Sequence, residues 1–194
     1  MGYHTDFNGH FELDTPLDEN QTTFLNAFAL TRRMKRDVEA YLKSTNDGLY
    51  ESVGLPIGEE GAYVADSFTS LAPSYEKACL LRYDSENDNP SIRYAINDPP
   101  QGQPGLWCGW VPSLDGKQIM WDESEKFYNY IEWIKYIIEH FLTPWGKTIS
   151  GEVHFRGEEH SDRGIIFAKD NNVEIVYDQV VEAHEIGPSW AKKE

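Results

Sequence analysis

The sequence predicts an α+β fold: an antiparallel sheet of about five or six strands, two main helices on one face and an irregular insert along an edge. Three observations predict it. From Trp121 to Leu142, the residues Phe127, Tyr130, Ile131, Ile134, Ile137, Ile138 and Phe141 recur at three- and four-residue spacing, an apolar stripe that a sheet or second helix must cover. From Thr148 to Val180 the period switches to two, with Val153 and Phe155 facing opposite to Glu152, His154 and Arg156. Between Ser44 and Asp98 periodicity dissolves into a stretch rich in Gly, Asn, Asp, Ser and Pro. One domain over 1–194, with a loop-rich insert at 44–98, is the expected organisation of the 194 residues.

Tyr3, Thr5 and Phe7 alternate with His4 and Asp6, and Asn8-Gly9 signals either a hairpin or one long strand with a glycine bulge. Thr15-Pro16-Leu17-Asp18 resembles a capping box with proline at the first helical position and opens a helix expected to run from Leu17 to Arg36, with Leu17, Phe24, Leu25, Phe28 and Met34 inward. Within the insert, Ala62–Ala65, Lys77–Tyr83 and Ser91–Ile96 are short strand candidates, and Asp98 to Gly105 is a stiff connector. Leu106–Val111 and Lys117–Trp121 predict two strands joined through Asp115-Gly116. The central helix is expected over Ser124 to Leu142, with Asp122 or Ser124 as N-cap and Pro144 and Gly146 as stop. Thr148–Phe155, Gly164–Lys169 and Val173–Val180 form the closing meander, with Asp170-Asn171-Asn172 as a turn. The tail from Pro188 to Glu194 has no inferable packing partner.

Charge is the most unusual total: 33 acidic against 17 basic residues, a formal net of -16. Such a field repels nucleic acid and anionic membranes, so no direct nucleic-acid binding is expected. Three readings remain: a well-solvated acidic protein, an acidic face for a basic partner, and an acidic cleft for a cation. No apolar run approaches the ~20 residues of a membrane span. The N-terminus shows no basic-then-apolar leader, and Asp6 does not suit myristoylation of Gly2. Cys79 and Cys108 match no metal spacing, so the expected setting is a reducing cytoplasm, and no cofactor is expected.

Candidate chemistry is sparse. Arg32, Arg33, Lys35 and Arg36 read as an anion site or as cations placed at a helix's negative end. His154, Glu158, His160 and Asp162 are weak metal candidates in a segment that also reads as a solvated strand turn. Glu125, Glu132 and Glu139 recur every seven residues, either as an acid and base acting on a sugar or as the solvent edge of the helix. The six tryptophans and eleven tyrosines suit ligand binding or core filling. No Gly-x-Ser-x-Gly, phosphate loop, dinucleotide fingerprint or Cys-x-x-Cys occurs.

Pro104-Gly-Leu-Trp-Cys-Gly-Trp-Val111, Trp121-Asp, Glu125-Lys-Phe-Tyr-Asn-Tyr-Ile-Glu-Trp-Ile-Lys-Tyr136 and Gly151-Glu-Val-His-Phe-Arg-Gly-Glu158 resemble a family of small uncharacterised proteins of bacterial and phage genomes. The opening Met1 to Leu17 and Thr31-Arg-Arg-Met-Lys-Arg36 look like its N-terminal half, and the insert is longer than expected. The resemblance carries no established activity or catalytic residue. Together with the charge, it implies a non-enzymatic acidic binding protein, a phage-type inhibitor of a nucleic-acid-binding host defence protein such as a nuclease. Glu125, Glu132, Glu158, Glu159 and Asp162 are the candidate partner contacts. The alternative is a small-ligand protein, a nucleotide or sugar sponge or a hydrolase, using Arg32, Arg33, Trp107 and Trp110.

Overall fold

A computed structural model describes residues 2–44, 48–65, 82–83, 93–94 and 97–178. Its centre is a six-stranded, wholly antiparallel open sheet. The chain supplies β1 (Thr5–Leu13), the short pair β2 (Arg82–Tyr83) and β3 (Arg93–Tyr94), then β4 (Trp110–Pro112), β5 (Gln118–Trp121), β6 (Ile149–Gly157), β7 (Arg163–Lys169) and β8 (Asn172–Tyr177). The order in the large sheet is β4-β5-β1-β6-β7-β8, while β2 and β3 pair with each other. The helices are α1 (Glu19–Leu30), α2 (Val38–Ser44), α3 (Leu49–Ser52) and α4 (Tyr130–Ile137), the last continued by a π turn over Ile138–Leu142.

Asn8-Gly9 makes no hairpin, and the one long strand forms without the expected glycine bulge. All nine residues of β1 pair in register with β6, from Thr5 opposite Gly157 to Leu13 opposite Ile149. Gly9 is needed there: its φ is 112° and an added Cβ would meet the Glu152 carbonyl oxygen at 2.5 Å. Strand alternation then sorts the sheet. Phe11, Ile119, Val153, Phe155 and Ile166 face inward and are buried, while Glu12, Glu152, His154 and Arg156 face water. The β7–β8 hairpin turns on Asp170 and Asn171, both left-handed at φ 49° and 69°, a conformation Asp and Asn tolerate.

Both long helices are shorter than their apolar patterns predict. The capping box forms at Asp18 rather than at Thr15: the Asp18 carboxylate accepts from the Gln21 N–H at 2.8 Å, and the Gln21 side chain accepts from the Asp18 N–H at 3.1 Å. The helix stops at Thr31, because beyond it the chain is drawn into extended pairing. Arg33, Lys35 and Arg36 donate their backbone N–H groups to the carbonyls of Leu106, Asp98 and Glu60, each at 2.9 Å. At the second helix, Asp122 caps a tight turn by accepting from the Ser124 N–H at 3.0 Å, and α4 begins eight residues later. Phe127 explains the delay. It is buried over Gly109 between Phe7 and Trp110, and seating it there uses left-handed backbone at Lys126.

The core lies between the sheet and the two helices on its inner face. Phe28 of α1 packs edge-on to Trp133 and Phe141, and Tyr130 of α4 meets Phe155 of β6. Full burial of each such side chain contributes roughly 1.5–3 kcal/mol. The beginning of the insert joins this core through Tyr50, Val64 and Ala65. Ala62–Ala65 is a turn and coil rather than a strand. Cys79 and the Pro188 to Glu194 tail lie outside the described residues. Among the described residues, no helix is long and apolar enough to cross a membrane.

Candidate functional site

The cation cluster that followed α1 in sequence turns inward. Arg33 retains 1 % of its surface and Arg36 6 %. The Arg33 guanidinium donates to the carbonyls of Thr31 at 3.0 Å, Val64 at 2.5 Å and Ala62 at 3.4 Å, and lies 4.1 Å from the Phe28 ring centre. Burial first, and Arg36 second, lower its proton affinity well below that of an ordinary arginine. Arg36 donates to the carbonyls of Met34 and Arg32, both at 3.0 Å. These two arginines fasten the segment after α1 to the start of the insert and present no charge to an external anion. Trp110 is equally internal, its indole N–H donating to the Tyr130 carbonyl at 2.8 Å. Of the four residues in the ligand reading, Arg32 and Trp107 remain at the surface, with the Arg32 guanidinium 5.7 Å from the Trp107 ring centre.

The carboxylates behave oppositely. The β6–β7 turn carries Glu158, Glu159 and Asp162, and the N-terminal residues cross over it. The Tyr3 hydroxyl donates to Asp162 at 2.6 Å and accepts from the Glu159 N–H at 3.2 Å, while Glu158 accepts from the His4 N–H at 3.1 Å. The bond to Asp162 is the largest influence raising the Tyr3 phenol above its usual range. Tyr130, at the start of α4, is raised first by burial and then by the field of Asp162, with Tyr3 and Glu132 adding to it. Glu132 lies on the exposed side of α4, two residues beyond Tyr130. Tyr128 joins this end to the loop holding Glu125, because its hydroxyl accepts from the Tyr3 N–H at 3.2 Å. Among the described residues, none of Glu125, Glu132, Glu158, Glu159 and Asp162 forms an ion pair, whereas Glu39, Glu60 and Asp115 pair with Lys43, Lys35 and Lys117.

Among the described residues no group of three or more His, Cys, Asp or Glu side chains is placed to hold a metal. His154 faces Glu152 on the outer sheet at 3.5 Å, Glu158 and Asp162 each accept one hydrogen bond, from the His4 N–H and the Tyr3 hydroxyl, and His160 packs against the Arg163 guanidinium. The seven-residue recurrence is also broken, since Glu125 lies on the loop and only Glu132 and Glu139 lie on the helical segment.

Beside the acidic end is a cleft of about 660 Å³ between the end of α1, residues 105–108 and the loop 122–129. Trp107 and Leu30, 45 % and 53 % exposed, flank it, with Leu106 and Phe127 among its apolar lining and Asp122 and Glu125 among its polar lining. Three residues of that loop, Glu123, Lys126 and Asn129, hold left-handed φ values of 62°, 63° and 55°. Asn129 tolerates this backbone, and at Lys126 it serves to seat Phe127 over Gly109. Cys108 also borders the cleft, but it is 1 % exposed and burial pushes its thiol up to about 12, which makes it unreactive. Sequence reasoning missed Tyr3, Leu30 and Asp122, and only Asp122-Glu-Ser124, an Asx-turn signal, marked any of them.

No family model, curated protein or solved structure matches the chain. The functional reading therefore rests on geometry and charge.

Proposed function

We propose that the protein is a non-enzymatic acidic binding protein whose unpaired carboxylates, Glu125, Glu132, Glu158, Glu159 and Asp162, dock on the basic surface of a protein partner. The observation that supports this reading is the placing of Glu158, Glu159 and Asp162 on one turn against Tyr3, without compensating ion pairs among the described residues, in a chain of net charge -16. Tyrosines amid carboxylates suit an interface, because each offers a rigid apolar ring and a polar tip at small entropic cost. A basic surface that holds phosphates is the complementary chemistry, so a nucleic-acid-binding protein, a host defence nuclease among them, is the partner class, and occupation of its phosphate site is inhibition.

The test is retention of a partner on the immobilised protein. Binding of this kind weakens at least tenfold between about 0.05 M and 0.5 M salt, as the screening length falls from roughly 14 Å to 4 Å. Affinity that stays constant over that range contradicts the electrostatic docking.

A further inference from the structure

The cleft between the end of α1 and the loop 122–129 has an unanswered donor behind its wall. Trp133 is completely buried, yet its indole Nε1–H has no hydrogen-bond partner among the described residues. Buried indole N–H groups normally find an acceptor, as that of Trp110 does at the Tyr130 carbonyl. Gly105 shows what the donor faces. An added Cβ on that glycine would have two atoms within 4 Å among the described residues beyond its chain neighbours, Asn129 Nδ2 at 3.5 Å and Trp133 Nε1 at 3.7 Å. Gly105 and Asn129 both line the cleft. The Asn129 amide carries two N–H groups and gives one to the Pro104 carbonyl at 2.6 Å, which leaves the other for an acceptor from outside. Two nitrogen donors thus flank one bare stretch of backbone.

The rest of the cleft decides what kind of molecule brings the acceptor. Its volume of about 660 Å³ falls within the range of small-molecule sites, and Leu30, Leu106 and Phe127 give it apolar walls, whereas the Trp107 face is taken by the Arg32 guanidinium. Its charged groups are of both signs, Asp122 and Glu125 with Lys126, so they select neither a cation nor an anion. The net charge of -16 on the whole chain then sets an anion at a disadvantage. An uncharged carbonyl meets these conditions, because its oxygen has two lone pairs for the two donors.

We infer that this cleft binds a small uncharged molecule with an apolar body and a terminal carbonyl, such as an amide, whose oxygen accepts from Trp133 Nε1 and Asn129 Nδ2 beside Gly105. The test uses three probes on one phenylpropyl body: 4-phenylbutyramide, 4-phenylbutylamine and 4-phenylbutyrate. Each is titrated into the full-length ¹⁵N-labelled protein, with the Trp133 indole N–H resonance and its exchange with solvent as readout. The amide is expected to move that resonance downfield, to slow its exchange, and to bind at least about tenfold tighter than the amine, which has no acceptor, and the carboxylate, which the field opposes. Gly105→Ala places a methyl group beside the two donors at ordinary contact distances and on a backbone without positive φ, so it is expected to keep the melting temperature while weakening the amide at least about tenfold. Trp133→Phe removes the donor and is expected to bring the amide down to the affinity of the amine. An amide no tighter than the amine or the carboxylate, an indole resonance that the amide does not move, or an unchanged amide affinity in Gly105→Ala overturns the inference. An indole proton protected from exchange without any probe and unmoved by all three identifies an internal water as its partner and overturns it equally. No protein partner enters the experiment, so its failure leaves the docking proposal standing and its success does not depend on it.

Discussion

Arg33 and Glu132 each carry one full charge within one chain, yet Arg33 sits in the interior against backbone carbonyls and the Phe28 ring, while Glu132 faces water with no cationic partner among the described residues. The contrast extends to their neighbours. Arg36 is also internal, whereas Glu125, Glu158 and Glu159 are exposed. Drawing cations inside to satisfy backbone carbonyls leaves the outside more acidic than composition alone implies. Charge at the inner cluster thus meets backbone carbonyls, and charge at the outer cluster meets water.

Removing an inner charge should therefore have the largest effect on stability. Arg33→Met leaves the carbonyls of Thr31, Ala62 and Val64 without their donors, and is expected to cost about 3 kcal/mol or more in urea unfolding. Arg36→Met removes two such donations and is expected to cost about 1–2 kcal/mol on the same measurement. Either variant as stable as the parent would show that the buried guanidinium does not hold the fold. Asp18→Ala, which removes a capping carboxylate that lies at the surface but is locally bonded, should fall between the clusters at about 1 kcal/mol.

The outer cluster should behave oppositely. Glu158→Gln with Glu159→Gln is expected to shift unfolding free energy by less than about 0.5 kcal/mol while weakening partner binding. A stability loss as large as that of Arg36→Met would show that these carboxylates hold the fold. The smallest expected effect concerns His140, on the π turn, whose Nδ1 lies 2.8 Å from the Tyr63 hydroxyl and whose ring centre lies 4.1 Å from that of Tyr136. Burial lowers its proton affinity, and Glu139 opposes that only in part. A histidine depressed in the folded state is protonated more readily when unfolded. Its contribution is therefore complete above the ordinary value of 6.5 and is lost as pH falls below it. A His140→Gln variant is expected to flatten that limb of the stability profile, measured as melting temperature between about pH 7 and pH 5.

The sheet was largely legible in the sequence because one face is buried, so Val153, Phe155 and Ile166 had to alternate with polar residues. The α4 stripe was legible for the same reason at helical period. Helix ends were not, because they are fixed by contacts distant in sequence: the N–H of Arg33 pairs with Leu106, and Phe127 seats over Gly109. The functional clusters divide similarly. Exposure of Glu158 and Glu159 follows from a polar turn, but no local pattern announces that Tyr3 reaches Asp162 across 159 positions. Nor does any pattern place Arg33 inside, since its partners Ala62 and Val64 stand 29 and 31 residues away in a stretch without periodicity.

The most direct test of docking through the acidic end moves charge without changing its amount. One variant carries Glu125→Gln, Glu132→Gln, Glu158→Gln and Glu159→Gln, and a control of equal net charge carries Glu12→Gln, Glu19→Gln, Glu39→Gln and Glu174→Gln, all exposed and away from the acidic end. Affinity of each for the partner retained at low salt is compared with that of the parent. Docking through the acidic end predicts at least a tenfold loss in the first variant and near-parent affinity in the control. Equal losses in the two would show that net charge alone governs association and that the acidic end is not the docking surface.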